Sequence, residues 1–197
     1  MRSPWIVALE AVAVAAFFCL LVVLAVRMGR AVEGWAQAPL LVLAVAAGYA
    51  LADVASGVTH WFCDSFFKED TPGIGPVLIF PFREHHRDPA AMTRHGFLEL
   101  TGNSCLGVSP FLGLAVWRPW HPVFDAALVS FALALFATNL FHKWAHSAIV
   151  PPWVAALQRW RLILNPDHHN VHHTPPNKKA YGVTNGWMNI LLDRILP

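Results

Sequence analysis

Four histidines fall within six residues near the C-terminus, in Asp167-His168-His169-Asn170-Val171-His172-His173. Positions three and four apart share a helix face, so His169, His172 and His173, an HxxHH box, can aim their imidazoles at one point. Three further groups border apolar segments: His60 with Asp64, His85-His86 with the nearby His95, and Asn139, His142 and His146 at spacings of three and four. Neutral imidazole is the commonest metal ligand, and such pairs from several helices can cage one or two ions. A closed structural zinc site takes only four ligands. The ten histidines of these groups better suit a dinuclear site, with Asp and Asn partners orienting the rings. Two iron ions can activate dioxygen and remove hydrogen from an unactivated C–H bond, which no side chain does alone.

The elements that must position these groups are apolar. Of the 197 residues 56% are hydrophobic and 13% charged, with mean hydropathy +0.45; soluble domains carry roughly twice that charge. The sequence predicts an all-α integral membrane protein, a single membrane domain over 1–197, with four transmembrane helices at about 5–26, 38–61, 97–117 and 122–141. The first run is too long for a signal peptide, and Arg27-Met28-Gly29-Arg30 follows where small residues would mark cleavage. Pro110 predicts a kink in the third span. Residues 65–96 hold Pro72, Gly73, Gly75, Pro76, Pro81 and Pro89, and read as a loop or re-entrant segment. Trp153 to Leu164 reads as a helix lying in the membrane interface, and Gly186 to Leu192 as a second short amphipathic piece packing under the site. His121, at a turn between spans, reads as an interfacial side chain. Three cysteines, Cys19, Cys63 and Cys105, offer no disulfide framework and no CxxC metal site.

Charge orients the spans. With four spans, both termini and the 62–96 loop share one side, which then carries Arg2, Lys68, Arg83, Arg87, Arg94, Lys143, Arg159, Arg161, Lys178, Lys179 and Arg194. The other side carries Arg27, Arg30 and Arg118. Eleven against three of the 14 basic residues predicts a multi-pass protein with that first side cytoplasmic. All ten grouped histidines fall on it, and only His121 falls on the other. Asp53, Gly57, His60 and Asp64 form one stripe running toward the same surface. A carboxylate within an apolar span is expensive, so Asp53 is either a functional group or a residue paired with a neighbouring helix.

The motifs His60-Trp61-x-x-Asp64, Phe82-Arg83-Glu84-His85-His86-Arg87-Asp88-Pro89, Thr93-Arg94-His95-Gly96-Phe97, Thr138-Asn139-x-x-His142-Lys143-Trp144-x-His146, His168-His169-x-x-His172-His173 and Gly186-Trp187-x-Asn189 occur in that order. Together they resemble the lipid desaturase domain of the plasmanylethanolamine desaturase (Kua) family, over about residues 50–197. The resemblance implies oxygen-dependent formation of a double bond beside the ether oxygen of an alkyl phospholipid, giving a vinyl ether. It also implies iron, as two ions held by the histidines, dioxygen as co-substrate, a membrane phospholipid substrate and an external electron donor of ferredoxin or cytochrome b5 type. Wider relatives instead desaturate a fatty acyl chain near its carboxyl end. Two departures stand out: no histidine follows Pro175, and Gly96 stands where the family favours an aspartate.

The expected metal ligands are His60, His85, His86, His142, His146, His169, His172 and His173, with Asp64 either a ligand or the acceptor of a ligand's N–H. His95, His168, Asp88 and Asn139 are further candidates for ligation or for orienting a ligand, and Asp53 is expected deeper, as a partner or structural charge. Arg83, Arg87, Arg94, Lys178 and Lys179 could meet lipid phosphate or an acidic electron donor, or serve topology alone. A hydroxylase on the same scaffold is the alternative chemistry. A b-type cytochrome fits HxxHH spacing at helix ends poorly, and a metal transporter would need polar ligands at mid-membrane. No nucleic-acid partner is expected.

Overall fold

The computed structural model describes residues 3–196. Arg2 of the charge count and Pro197, at the end of the expected domain, lie outside the described residues. Among those residues the chain is helical, with no strand. The main helices are α1 (Pro4–Ala31), α2 (Ala38–Ser65), α3 (Phe80–Arg87), α4 (Ala91–Arg94), α5 (Phe97–Trp117), α6 (Pro122–Ala145), α7 (Pro152–Arg159), α8 (Pro166–His172) and α9 (Asn189–Ile195). Three helical segments are long and apolar enough to cross a membrane: Pro4–Ala31, Trp35–Ser65 and Pro122–Ala145. The remaining expected span, α5, has 21 residues and runs continuously through Pro110. Its length of about 31 Å suits a bilayer, but Glu99, Thr101, Asn103, Ser104 and Ser109 make it more polar than the other three.

Two compact units make up the chain, Met1–Ala52 with Gly96–Ala137 and Asp53–His95 with Thr138–Pro197. In the first, Ala13, Phe17, Leu21 and Leu24 line one face of α1 at helical spacing. They pack on Cys105, Val108, Leu112 and Ala115 of α5, with Ala132 of α6 in the same cluster. Phe17 stacks on Phe136 at 5.5 Å. In hydrocarbon, burying apolar side chains between helices brings no hydrophobic gain, so close backbone approach and buried polar pairs carry the packing. Both are present. Gly48 of α2 lies against the backbone of α6 at Ala127, and Gly102 of α5 against Glu10. Arg27 forks onto both oxygens of Asp125 at 2.6 to 3.0 Å and donates to the Ala115 carbonyl at 2.7 Å.

The second unit holds the ends of α2 and α6 and the short helices. Both long helices run past the apolar stretches read from the sequence, α2 to Ser65 and α6 to Ala145, and the added turns carry Asp64 and His142. The segment 65–96, read as a loop or re-entrant segment, holds short helical pieces between its turns. A π-helical turn at Gly75–Ile79 leads into α3, because Pro81 occupies the first turn, where a missing N–H costs nothing. The expected interfacial helix ends at Arg159, with Arg161 in a left-handed conformation, φ 54°. The last helix begins at Asn189, later than the amphipathic pattern placed it.

A methyl group added at Gly48 would strike the α6 backbone, whereas one added at Gly113 meets nothing within 4 Å. Gly48→Ala should therefore lower stability by about 2 kcal/mol, and Gly113→Ala should leave it equal or slightly raised. Thermal unfolding of the two variants in detergent micelles measures the contrast.

Candidate metal centre

Each candidate ring in the second unit is placed by a local device. His60 and Asp64 sit one turn apart near the end of α2, whose last carbonyls are capped by Arg83: its guanidinium donates to Cys63, Asp64, Phe66 and Phe67 oxygens at 2.8 to 3.3 Å. Arg83 thereby ties α2 to α3, which carries His85 and His86. His142 lies in the last turn of α6 and His146 just beyond it. Asn165 caps α8 by accepting the His168 N–H at 3.1 Å, and Pro166 opens the helix that presents His169 and His172, with His173 as its C-cap.

These devices gather the ring nitrogens into two groups that share His85. The first holds His85, His142, His146, His169 and His173, the second His60, His85, His86 and His172, and within each group the ligand atoms lie within 4.8 Å of one another. In the first, Nε2 of His142 is 2.8 Å from Nε2 of His169 and 3.2 Å from that of His146, while His146 and His169 are 2.9 Å apart. His173 Nε2 adds a 3.1 Å contact to His169. A neutral ring nitrogen either donates or accepts, so three mutually touching nitrogens cannot all be paired: at least one contact sets like against like. A shared cation removes the conflict by taking every lone pair. With metal–nitrogen bonds of about 2.1 Å, neighbouring ligand nitrogens lie about 3.0 Å apart in an octahedron and about 3.4 Å in a tetrahedron. The observed spacings of 2.8 to 3.2 Å lie close to the octahedral value.

The second group makes the same point differently. His60 Nδ1 is 3.2 Å from the Tyr181 carbonyl and His172 Nδ1 is 2.8 Å from that of Lys179. A carbonyl only accepts, so both Nδ1 atoms carry the proton and both Nε2 atoms present lone pairs. Asp64 Oδ2 lies 3.5 Å from the first, 3.4 Å from the second and 3.0 Å from His86 Nε2. A carboxylate oxygen facing two lone pairs is repulsive without a positive charge among them. His60 Nε2, His85 Nε2 and Asp64 Oδ1 are buried without a hydrogen-bond partner. The imidazole and carboxylate donors present therefore fit a transition-metal site.

Burial, and then the neighbouring rings, hold His85, His146, His169 and His173 neutral. His85 is pushed down to about 2, by burial first and then by His86, His173 and His146. His173 falls to about 3 and His146 to about 4, again chiefly by burial. His169 is also lowered, by burial and by His146. Neutral rings at physiological pH have their lone pairs ready for a metal.

The other expected residues stand elsewhere. His168 Nε2 accepts from the Asn189 amide at 2.8 Å, outside both groups. Gly186, with φ +80°, is the residue that leaves room for this ring: a Cβ there would fall 2.5 Å from His168 Cδ2. His95 is also outside both groups, and its carbonyl accepts from Lys143 Nζ at 2.8 Å. Asp88 pairs with Arg94 at 2.6 Å on the surface. Asn139 is partly exposed on α6, one turn before His142. Asp53 is fully buried, and its carboxylate accepts the backbone N–H groups of Thr184, Asn185, Gly186 and Met188 at 2.9 to 3.1 Å. It is a fastener of the 184–188 loop. Arg87 is committed to Glu69 at 2.6 Å. With Arg83 and Arg94 also engaged, three of the five basic residues offered to external anions have internal partners. His121 sits before α6, where its Nδ1 accepts the Val123 N–H at 3.3 Å.

Sequence reasoning missed the carbonyls of Lys179 and Tyr181. They flank Ala180, whose φ of 57° is left-handed and whose N–H is held by Asp193 Oδ1 at 2.8 Å. Backbone acceptors carry no residue signature. The one available signal was Asp53, an intramembrane carboxylate in need of donors.

The lipid desaturase domain family matches residues 49–196. A plasmanylethanolamine desaturase of Myxococcus xanthus is 44% identical over 191 residues, which cover 95% of this chain and 67% of the relative. Plasmanylethanolamine desaturase 1 of Mus musculus is 40% identical over 171 residues, 82% of this chain and 63% of the relative. The chloroplastic fatty acid desaturase 4 of Arabidopsis thaliana is 36% identical over 153 residues, 76% of this chain and 47% of the relative. The chain thus spans about two thirds of the first two relatives and about half of the third. No solved structure matches it significantly.

The lowered histidines set a pH dependence for the metal-free protein. Between the ordinary value of 6.5 and folded values of about 2 to 4, the unfolded chain binds more protons than the folded one. Stability therefore falls as pH drops below about 6.5, and this contribution is flat above it. Melting temperatures of metal-stripped protein should decline from pH 7.5 to pH 5, and should decline less when these rings are replaced by neutral side chains.

Proposed function

The chain belongs to the lipid desaturase domain family, and on that premise we propose that it is a membrane-bound, oxygen-dependent lipid desaturase forming the vinyl-ether double bond of plasmalogens. The observation that carries the chemistry is the crowding of Nε2 lone pairs in two adjoining groups. The substrate reading is supported by the two relatives named plasmanylethanolamine desaturase, at 44% and 40% identity. Acyl-chain desaturation is the second reading, favoured less because the chloroplastic fatty acid desaturases are 33% to 36% identical.

In this proposal His142, His146, His169 and His173 hold one ion, and His60, His86, His172 and Asp64 hold the other, with His85 in reach of both. Lys179 and Tyr181 carbonyls fix two rings in the tautomer that offers Nε2. Iron is assigned because the reaction is an oxidation and zinc has no redox chemistry. Two bound irons would supply the activation of dioxygen that the side chains cannot. Overall, dioxygen takes one hydrogen from each of two adjacent alkyl carbons, two electrons from an external donor and two protons from solvent, and leaves as two waters. A donor of ferredoxin or cytochrome b5 type meets that requirement. The protein's own part is to hold the rings, keep them neutral and present the alkyl chain in register.

The topology proposed has four spans, with α5 as the third in chain order and the histidine groups on the cytoplasmic side. The eleven-to-three distribution of Lys and Arg supports that orientation.

Expression in a plasmalogen-free host supplied with the alkyl ether precursor should yield acid-labile vinyl-ether lipid. New double bonds in acyl chains alone would defeat the vinyl-ether assignment. His146→Ala and His172→Ala touch different groups. Each should lower bound iron from about two ions to about one per chain and abolish product, as measured by metal analysis and lipid mass spectrometry.

A further inference from the structure

A cleft of about 650 Å³ lies beside the second histidine group. Asp64 and His86 line it, together with the aromatic rings of Trp61, Phe66 and Tyr181 and the cations Arg83 and Lys178. Asp64 is the one carboxylate among the lining residues, and it is already within 3.0 Å of His86. Arg83 donates to four neutral carbonyls, and the acidic group it interacts with, Glu69, is outside the cleft lining and hydrogen-bonded to Arg87. Lys178 is exposed, and no carboxylate is paired with it among the described residues. The cleft therefore combines aromatic walls with an excess of positive charge, next to the place where oxidation is proposed.

The position of Lys178 is tied to the histidines. On one side of it, Asn177 Nδ2 donates to the His172 carbonyl at 2.8 Å; on the other, the Lys179 carbonyl accepts from His172 Nδ1 at 2.8 Å. Lysine and metal-side ring are thus parts of one hydrogen-bonded piece. The substrate chemistry needs such a link. In an alkyl glycerophospholipid six bonds separate phosphorus from the first carbon of the ether chain, a reach of roughly 7 Å by ordinary bond lengths. A site that oxidises the first two carbons must therefore accommodate the phosphate close to the metals.

We propose that this cleft is a phosphate subsite, in which Lys178 grips the phosphodiester of a glycerophospholipid and thereby selects the ether-proximal carbons for oxidation. The inference rests on the ether-lipid desaturase reading for its consequence, but not for the binding itself. A charge-assisted contact of this kind is worth about tenfold in affinity.

The test uses the full chain in neutral detergent, with two probes: 1-alkyl-2-acyl-glycerophosphoethanolamine and the corresponding 1-alkyl-2-acylglycerol, which lacks the phosphate. In thermal-shift titrations the wild type should bind the phospholipid about tenfold more tightly than the phosphate-free lipid. Lys178→Gln should erase that difference and Lys178→Arg should restore it. In turnover, Lys178→Gln should raise KM for the phospholipid by a similar factor, with kcat largely kept. Equal binding of the two lipids by the wild type, or unchanged phosphate preference in Lys178→Gln, would overturn the proposal. So would a Lys178-dependent shift by inorganic phosphate with none by the phospholipid, which would mark a free-anion site. Slower reduction of bound metal by ferredoxin in Lys178→Gln, with lipid binding unchanged, would assign the lysine to an electron donor and overturn it equally. Binding is read without turnover, so absence of vinyl-ether product in the wild type would defeat the functional reading and leave the subsite to be decided by the titrations.

Discussion

An imidazole nitrogen that has no proton can only accept, and two such nitrogens repel. The second unit is built around a set of them held closer together than proton placement can satisfy. His142, His146 and His169 meet in a triangle with edges of 2.8, 3.2 and 2.9 Å. His60 and His172 turn their lone pairs toward Asp64 because carbonyls occupy their other nitrogens. A protein keeps such an arrangement only if the surrounding structure determines it, and if something positive repays it.

The surrounding structure does so through polar contacts that reach far along the chain. Asp53 gathers four backbone N–H groups of the 184–188 loop. Asn189 pairs with the Gly182 backbone through both ends of its amide, and Asp193 holds Ala180 in its left-handed conformation. The carbonyls of residues 179 and 181 are thereby aimed at two rings. The first unit uses different means: an apolar stripe shared by α1 and α5, close approach at Gly48 and Gly102, and the Arg27–Asp125 pair.

Much of this was legible in the sequence, for a definite reason. Spacings of three and four on a helix fix which side chains share a face, so the pairs His60 with Asp64, His142 with His146, and the 169–173 box could be read as convergent before any fold was known. Where the outcome depended on a partner distant in sequence, the reading stopped. His168 stands four residues before His172, as a ligand would, yet the Asn189 amide takes its nitrogen. The prolines of 65–96 read as breakers, but Pro81 starts α3 because its position in the first turn turns the same restriction into a benefit. Arg83, Arg87 and Arg94 read as available charge, and each has an internal partner that spacing could not reveal.

One feature of the ring-orienting carbonyls bears on how the molecule comes to exist. His60 is synthesised more than a hundred residues before the Tyr181 oxygen that sets its tautomer, and the donors that satisfy Asp53 emerge later still. Until residues 179–188 are made, the nascent chain lacks the carbonyls that orient His60 and His172 and the N–H groups that Asp53 accepts. The final orientation of these groups therefore waits on the segment that carries residues 179–188, whatever the order in which the helices before it come together.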